Sequence, residues 1–168
     1  MTLEEAINTA IEYEEKVRDV YFAAREEAAN EVGNRVFRIL ADEEQGHVDF
    51  LYHKLAELKK SGKVTSEDLK SALPSPTAIK AAAESLGNRL VSNDRDNELK
   101  LLRKAFQVEV ETSTYYKRLV GELDPDGQKF FSRFLEIEEG HVSLVQAEID
   151  CLSGTGYWFD MREFSLEL

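Results

Sequence analysis

The chain has 168 residues, and its 33 acidic and 21 basic side chains give a formal net charge of −12. This length suits one compact domain with a sizeable core. The hydrophobic content of 42% indicates that the acidic chain is folded and not intrinsically disordered. The acidic balance excludes a broad nucleic-acid surface and docking on anionic membrane, because both partners require a basic face.

The first residues and the cysteine content predict the compartment. The chain begins MTLEEA, unlike a basic and then apolar signal peptide, and no stretch approaches the ~20 apolar residues of a spanning helix. Cys151 is the only cysteine, which excludes an internal disulfide framework and a Cys-x-x-Cys metal site. We therefore expect a cytoplasmic protein, with Cys151 filling a small space near a helix end.

Two long helices are predicted within the first 60 residues. This stretch contains no proline and is rich in Ala, Glu, Leu and Lys. The first helix is expected from about Thr2, an N-cap with Glu5 three residues on, to about Asn30. Gly33 is expected to punctuate the chain before a second helix over about residues 34–60.

The rest of the chain predicts a long connection and a second helical hairpin. The connection holds a short turn at 66–68, two prolines and one short helix over 77–90. Two long helices are then expected over about 96–121 and 125–153, separated by a turn. The pattern predicts an all-α four-helix bundle made of two hairpins joined by a long crossover that contains a short helix.

The C-terminal residues form an aromatic tail after the bundle. The predicted domain covers residues 1–153, and the tail covers 154–168 with the chain's only tryptophan, Trp158. A segment of this composition is expected to be buried. It would pack on the end of its own bundle or cover a neighbouring subunit, and the sequence leaves both arrangements open.

Polar side chains interrupt the middle of every long helix's apolar seam. The seams follow the alternating three- and four-residue spacing of helical bundles. Buried acids are costly without partners, so their position in the seam indicates a site. The interrupting residues are Glu14, Glu44, His47, Glu109, Glu138 and His141.

The two halves of the chain carry the same pattern at matched distances. In each half an acid-x6-Tyr segment precedes a Glu-x-x-His segment by 30 or 29 residues, counted between glutamates. The copies are Glu14-x6-Tyr21 with Glu44-x-x-His47, and Glu109-x6-Tyr116 with Glu138-x-x-His141. One Glu-x-x-His would mean little in so acidic a chain, whereas the doubled set indicates a site at one level of the bundle.

Four carboxylates and two imidazoles predict a dinuclear metal site. Residues i and i+3 of a helix lie about 60° apart, so a Glu-x-x-His pair can reach one ion. Oxygen-rich ligation without thiolate favours iron or manganese over structural zinc, and four carboxylates balance two divalent cations. One Glu from each of two helices, with Glu-x-x-His from the other two, is the arrangement of di-iron and di-manganese bundles.

On these six candidate ligands and two tyrosines, the sequence resembles the ferritin-like superfamily of di-iron carboxylate proteins. Within that superfamily it is similar to the rubrerythrin-like family, over residues 2–153. The resemblance implies bridging, terminal and capping ligands to two iron ions. Glu44 and Glu138 would bridge the two ions. Glu14 and Glu109 would each be a terminal ligand to one ion, and His47 and His141 would each cap one ion.

Two departures from the rubrerythrin pattern change what the resemblance implies. Thr112 stands where rubrerythrins commonly have an additional glutamate, so the ligand set is symmetric, as in ferritins and related oxidases. A rubredoxin domain needs four cysteines, which Cys151 alone cannot supply. Electrons are therefore expected from a separate donor protein or a small reductant.

The expected function is a di-iron oxidoreductase that reacts with hydrogen peroxide or oxygen, as a homodimer or higher homo-oligomer. The metals are expected to be two iron ions, with manganese or a mixed pair left open. One alternative is a ferroxidase in iron storage or handling. Another is a non-catalytic helical interaction protein whose site is structural or vacant.

The sequence also predicts positions or roles for several other residues. Tyr21 and Tyr116 would each lie on the side of their own helix's metal, where they either fill the core and hydrogen-bond a ligand carboxylate or assist redox or proton transfer. The acids Glu43 and Glu139 are expected to point away from the seam, so their substitution should matter little. His53 is expected at the surface. The metal-free site is expected to raise the pKa of all four buried carboxylates.

Overall fold

A computed structural model of the chain describes residues 1–65, 69–75, 77–79, 81, 95–156 and 158. Four long helices contain most of these residues: α1 (Leu3–Glu27), α2 (Glu31–Ser61), α3 (Arg95–Glu122) and α4 (Pro125–Thr155). Residues 77–79 and 81 are also helical, and none of the described residues is in a strand. The all-α prediction is confirmed. The predicted turn at 66–68 and most of the predicted 77–90 helix lie outside the described residues.

Capping residues explain where the first two helices begin. Thr2 and Glu5 form the predicted capping box, in which each side chain accepts a hydrogen bond from the other's backbone N–H. The prediction that Gly33 separates α1 from α2 is wrong. Asn30 is the N-cap of α2, and its side chain accepts from the backbone N–H groups of Val32 and Gly33, so Gly33 lies in the first turn.

Short connections make each half of the chain an antiparallel hairpin. Residues 28–30 join α1 to α2, and residues 123–124 join α3 to α4. Glu4 at the start of α1 lies 3.5 Å from Lys59 at the end of α2, as expected for antiparallel neighbours. Asp124 caps α4 by accepting from the Gly127 N–H, and Pro125 occupies the first turn, where its missing N–H costs nothing.

Contacts between α1 and α3 fix how the two hairpins combine. The Tyr115 hydroxyl, late in α3, donates to the Ala6 carbonyl, early in α1, at 3.0 Å. The Ala29 N–H, just after α1, donates to the Glu98 carboxylate, early in α3, at 2.8 Å. Since α3 is thus antiparallel to α1, it is parallel to α2. The connection over residues 62–94 therefore joins opposite ends of the bundle, as the predicted crossover requires.

Two apolar clusters fill the core on either side of a polar layer. The Phe37 cluster and the Phe131 cluster are separated along the bundle axis by the buried acids and histidines. Fully buried large apolar side chains stabilise a fold by about 1.5–3 kcal/mol each. The clusters thus hold the polar layer in a fixed, water-poor environment. Fully buried members include Val17, Phe37, Leu40, Leu102 and Leu144 in the first, and Ile7, Leu51, Leu119 and Phe131 in the second.

Trp158 places the start of the aromatic tail on the chain's own bundle. Its side chain is buried, and its ring meets the ring of Phe37 edge-on at a centroid distance of 5.4 Å. Residues 157 and 159–168 of the tail lie outside the described residues. Cys151 is half-buried beside the Phe37 cluster. Among the helices of the described chain, none is long and apolar enough to cross a membrane.

The contact between Trp158 and Gly33 yields a stability prediction. A Cβ at Gly33 would lie 2.5 Å from a Trp158 ring carbon and 2.6 Å from a Glu98 carboxylate oxygen. Gly33→Ala should therefore lower the free energy of unfolding by about 1–3 kcal/mol, because a ring is displaced from a packed core. Urea denaturation measures this change, and the fluorescence of Trp158 should shift with it.

Gly46→Ala is the matched control for that substitution. Gly46 is also helical, and no described atom outside its helix lies within 4 Å of the position of its Cβ. Alanine there should stabilise the metal-free protein by about 0.5–1 kcal/mol through helix propensity. Equal effects of the two substitutions would contradict the packing of Trp158 over Gly33.

Candidate metal centre

The structure brings all six predicted ligands together at one level of the bundle. Each side chain is 0–1% exposed. They form two overlapping groups in which the available ligand atoms all lie within 4.8 Å of one another. The groups are Glu14, Glu44, His47 and Glu138, and Glu44, Glu109, Glu138 and His141. Two glutamates, Glu44 and Glu138, belong to both groups.

Glu44 and Glu138 lie between the two imidazoles. One oxygen of Glu44 is 3.1 Å from His47 Nδ1, and its other oxygen is 2.7 Å from His141 Nδ1. Oε1 of Glu138 lies 3.5 Å from His47 Nδ1 and 3.8 Å from His141 Nδ1. A carboxylate in this position can bind one cation on each side, which is the geometry expected of bridging ligands.

Glu14 and Glu109 each approach one imidazole only. Oε2 of Glu14 is 3.1 Å from His47 Nδ1, and Oε1 of Glu109 is 3.6 Å from His141 Nδ1. The two imidazole rings are nearly parallel, with an interplanar angle of 9° and centroids 5.5 Å apart. Both Nδ1 atoms therefore face the carboxylates, and Glu14 and Glu109 occupy the positions expected of terminal ligands.

The tyrosines contact the terminal carboxylates of the opposite helix. The Tyr21 hydroxyl donates to Glu109, and the Tyr116 hydroxyl donates to Glu14. The prediction that each ring lies on the side of its own helix's metal is wrong. Each tyrosine lies two turns along its helix from that helix's glutamate, and its long side chain reaches the glutamate of the neighbouring antiparallel helix. Burial and the neighbouring carboxylates raise the pKa of both hydroxyls, which keeps them protonated donors.

Several buried polar atoms of this layer lack a hydrogen-bond partner among the described residues. They include both oxygens of Glu138, one oxygen each of Glu44 and Glu109, and Nε2 of both histidines. An unsatisfied buried polar atom costs about 1–3 kcal/mol, and more when it is charged. Carboxylate oxygens and imidazole nitrogens that converge without partners form a donor set that fits cations. The roles of the individual ligands stay predictions.

Burial and mutual repulsion separate the pKa values of the four carboxylates. Burial first, and then the charge of Glu44, raises the pKa of Glu14 to about 8. Burial likewise raises the pKa of Glu109 to about 7 and holds that of Glu138 well above its usual range. In the metal-free site these carboxyls therefore hold protons near neutral pH, and a bound cation must displace them.

The prediction that all four pKa values rise is wrong for Glu44. Burial acts against its ionisation, but the charges of His141 and His47 lower its pKa below the usual value. Burial likewise opposes charge on the histidines, while Glu44 raises the pKa of both. Glu44 is the one carboxylate that touches both imidazoles closely, so it ionises in their field.

Sequence reasoning missed that Glu43 lies close to the two histidines. Its half-buried carboxylate lies with ring nitrogens of His47 and His141 in a third group whose ligand atoms are within 4.8 Å. The four-residue spacing from Glu43 to His47 places both on one side of the helix and could have indicated this closeness. The neighbouring Glu44 already completes the Glu-x-x-His motif, which drew attention away from Glu43. Glu139, by contrast, is exposed and lies 3.2 Å from Lys117.

Two other residues complete the comparison with the sequence. His53 is exposed, as expected. Thr112 is buried, and its hydroxyl donates to the Val108 carbonyl one turn earlier. That hydrogen bond satisfies Thr112 within its own helix, so the ligand set stays symmetric.

The raised pKa values predict how the metal-free protein responds to pH. Carboxyls whose pKa is higher in the folded state contribute stability that is complete below the unfolded value and is lost as pH rises through the folded value. For Glu14 and Glu109 this loss runs from about pH 4.5 to about pH 8. The thermal midpoint of metal-free protein should therefore fall over this interval, and manganese(II) should raise it more at the alkaline end.

Matched variants test the origin of this pH dependence. Glu138→Gln removes a carboxyl with a strongly raised pKa, so it should flatten the dependence. Glu139→Gln changes an exposed acid by the same chemistry and should leave the slope unchanged. A thermal midpoint that rises between about pH 5 and about pH 8 would contradict protonated carboxyls in the folded site.

Comparisons with known proteins neither support nor exclude the resemblance drawn from the motifs. Family models, curated proteins and solved structures were searched, and none matches this chain. The family stays a hypothesis carried by the six side chains and two tyrosines. The chemistry of the site accordingly rests on the distances, burial and charges given above.

Proposed function

We propose that this chain is a ferritin-like, rubrerythrin-type di-iron oxidoreductase that reacts with hydrogen peroxide or oxygen. The observation that carries the proposal is the position of Glu44 and Glu138 between two imidazoles whose Nδ1 atoms face them. Two overlapping groups of three carboxylates and one imidazole result. This donor set is the one that dinuclear iron and manganese bundles use.

The side chains fit a pair of divalent cations in number, type and charge. Oxygen-rich ligation with one nitrogen per ion suits iron or manganese, and no thiolate is present in either group to favour zinc. Four carboxylates neutralise two divalent ions inside an apolar bundle. When bound, such a pair would polarise the O–O bond and supply the electrons that reduce it.

The protein's own groups would hold the ligands and the protons. Tyr21 and Tyr116 each donate to one oxygen of a terminal carboxylate, which fixes that carboxylate's orientation. Each hydroxyl also keeps a proton at the edge of the site. The Phe37 and Phe131 clusters exclude water above and below the layer. Electrons would come from a separate donor protein, and the working form would be a homodimer or higher homo-oligomer.

Two clefts approach the histidines from outside the bundle. One has a volume of about 510 Å³, and its lining includes Gly46, His47 and Leu69. The other, of about 180 Å³, is lined in part by Gly140 and His141. Both lie between a helix and the described part of the crossover. Clefts of this size admit small substrates such as peroxide, oxygen or a hydrated cation.

Iron handling is the second candidate function. Thr112 makes no contact that would add a ligand, so the six-residue set is symmetric, as in ferritins and related oxidases. A ferroxidase would use the same centre but would pass its ferric product on instead of cycling it. A non-catalytic interaction protein, the alternative from another class, should keep its fold and its partner after the metal is removed.

The stoichiometry of iron tests the ligand assignment. Protein reconstituted without oxygen should hold about two ferrous ions per chain. Glu44→Ala and Glu138→Ala each remove a shared ligand, so each should lose the pair and retain fewer than about one ion. Metal analysis after desalting gives the count.

Glu139→Ala is the control for these two variants. Its side chain follows Glu138 directly but is exposed and paired with Lys117, so the variant should retain the wild-type iron content. Equal losses in Glu138→Ala and Glu139→Ala would mean that iron binds to surface acids instead of the buried layer.

Oxidation of the ferrous protein tests the reaction. Reduction of one peroxide to water takes two electrons, so one equivalent should convert both iron ions to the ferric state within one turnover. Rapid-mixing absorbance follows the appearance of ferric iron, and oxygen in place of peroxide gives the competing rate. A rate with peroxide far above that with oxygen favours the peroxidase. Iron that stays bound but ferrous with both oxidants would overturn the oxidoreductase proposal.

A further inference from the structure

Glu43 contacts the crossover and lies close to the imidazoles of His47 and His141. Its carboxylate accepts hydrogen bonds from the Ser71 hydroxyl at 3.0 Å and from the Ala72 N–H at 2.7 Å. The same half-buried carboxylate belongs to the third group, with His47 and His141, in which ligand atoms are within 4.8 Å. One side chain therefore links the crossover to the two imidazoles.

Each imidazole has one nitrogen toward the carboxylate layer and one nitrogen left over. The Nδ1 atoms are the ones that lie 2.7–3.8 Å from the four buried carboxylates. Both Nε2 atoms are buried and have no hydrogen-bond partner among the described residues. If Nδ1 binds a cation, Nε2 must carry the proton and needs an acceptor.

We propose that Glu43 is the positioning residue for both imidazoles and that it accepts, directly or through one water, the Nε2–H groups of His47 and His141. This inference rests on the proposed dinuclear centre. A metal-bound histidine almost always donates its second ring N–H to a carboxylate, a carbonyl or water, which fixes the tautomer and the ring plane. A carboxylate oxygen of Glu43 lies within 4.8 Å of one ring nitrogen of each histidine, and a bridging water can span a separation of this size.

The repeat in the sequence shows that this role is carried by one half of the chain. The position of Glu43 before Glu44 corresponds to Ile137 before Glu138. An isoleucine cannot accept a hydrogen bond, so the second copy offers no equivalent acceptor at that position. The two rings are nearly parallel with centroids 5.5 Å apart, and one ring nitrogen of each lies in the same group as the Glu43 carboxylate, so one carboxylate can serve both.

Glu43 could instead act as a ligand to a third cation. The two imidazoles would then have to bind through both nitrogens, each as a bridge that has lost both of its protons. An imidazole with a neighbouring carboxylate acceptor holds its second proton more readily than it loses it, so the positioning role is the one that the geometry favours. The two roles predict different numbers of bound cations per chain, so a metal titration distinguishes them.

Cobalt(II) titration of the full-length protein, with a competing chelator, tests this inference. The visible absorption of bound cobalt reports both the number of ions and their coordination. Wild type should bind about two ions, and Glu43→Ala should bind the same number with affinity lower by about 10–100-fold. Glu43→Gln keeps an acceptor oxygen, so it should recover most of the loss and the wild-type spectrum. Circular dichroism checks that each variant keeps its helix content.

Two controls separate positioning from loss of the crossover contact. Ser71→Ala removes a hydrogen bond from the crossover to Glu43 but leaves the carboxylate, so cobalt affinity should be unchanged. Glu139→Ala removes an exposed acid and should also bind as wild type does.

Three results would overturn the positioning role of Glu43. One is a Glu43→Ala affinity within about twofold of wild type, and another is an equal loss in Ser71→Ala. The third is an additional cobalt ion in wild type that Glu43→Ala loses, which would assign a cation site. If wild type bound no cobalt in the buried layer, the proposed function would fail and this inference with it. If wild type and Glu43→Ala bind the same number of cobalt ions with the same affinity, this inference fails while the proposed function stands.

Discussion

Four carboxylates buried opposite two imidazoles are the constraint on which the rest of this structure depends. Transferring one ionised carboxylate into a protein interior costs several kcal/mol, and mutual repulsion adds to that cost. The metal-free layer reduces the cost by holding protons, which is why the pKa of Glu14 is raised to about 8 and that of Glu109 to about 7. Divalent cations would replace those protons. The apolar clusters on either side then stabilise a neutral assembly.

Antiparallel packing of α1 against α3 determines how the layer is organised. It places the Tyr116 hydroxyl on Glu14 and the Tyr21 hydroxyl on Glu109, so each tyrosine supports a ligand of the other hairpin. The two hairpins are therefore connected through the site as well as through the core. The crossover adds a third connection, because Glu43 joins it to the histidine side of the layer.

The sequence was sufficient for the long helices and for the cluster of six buried acidic and histidine side chains, and insufficient for contacts that depend on the relative direction of two helices. Seam spacing and the doubled Glu-x-x-His motif locate Glu44 and His47 because helical periodicity alone brings them together. The partner of Tyr21 depends on the relative direction of two helices, which no local pattern encodes. The closeness of Glu43 to the histidines was missed because a residue off the seam can still approach the layer from the crossover side. The role of Gly33 was missed because its close approach to Trp158 involves two residues that are far apart in the chain.

A crystal structure of the protein soaked in manganese(II) or ferrous iron, with anomalous difference maps, tests the dinuclear centre most directly. We expect two peaks about 3.5–4 Å apart. Glu44 and Glu138 would bind both ions, and each imidazole would bind one ion through Nδ1. A single peak in the layer, or peaks confined to surface acids with the six buried side chains unchanged, would contradict this expectation.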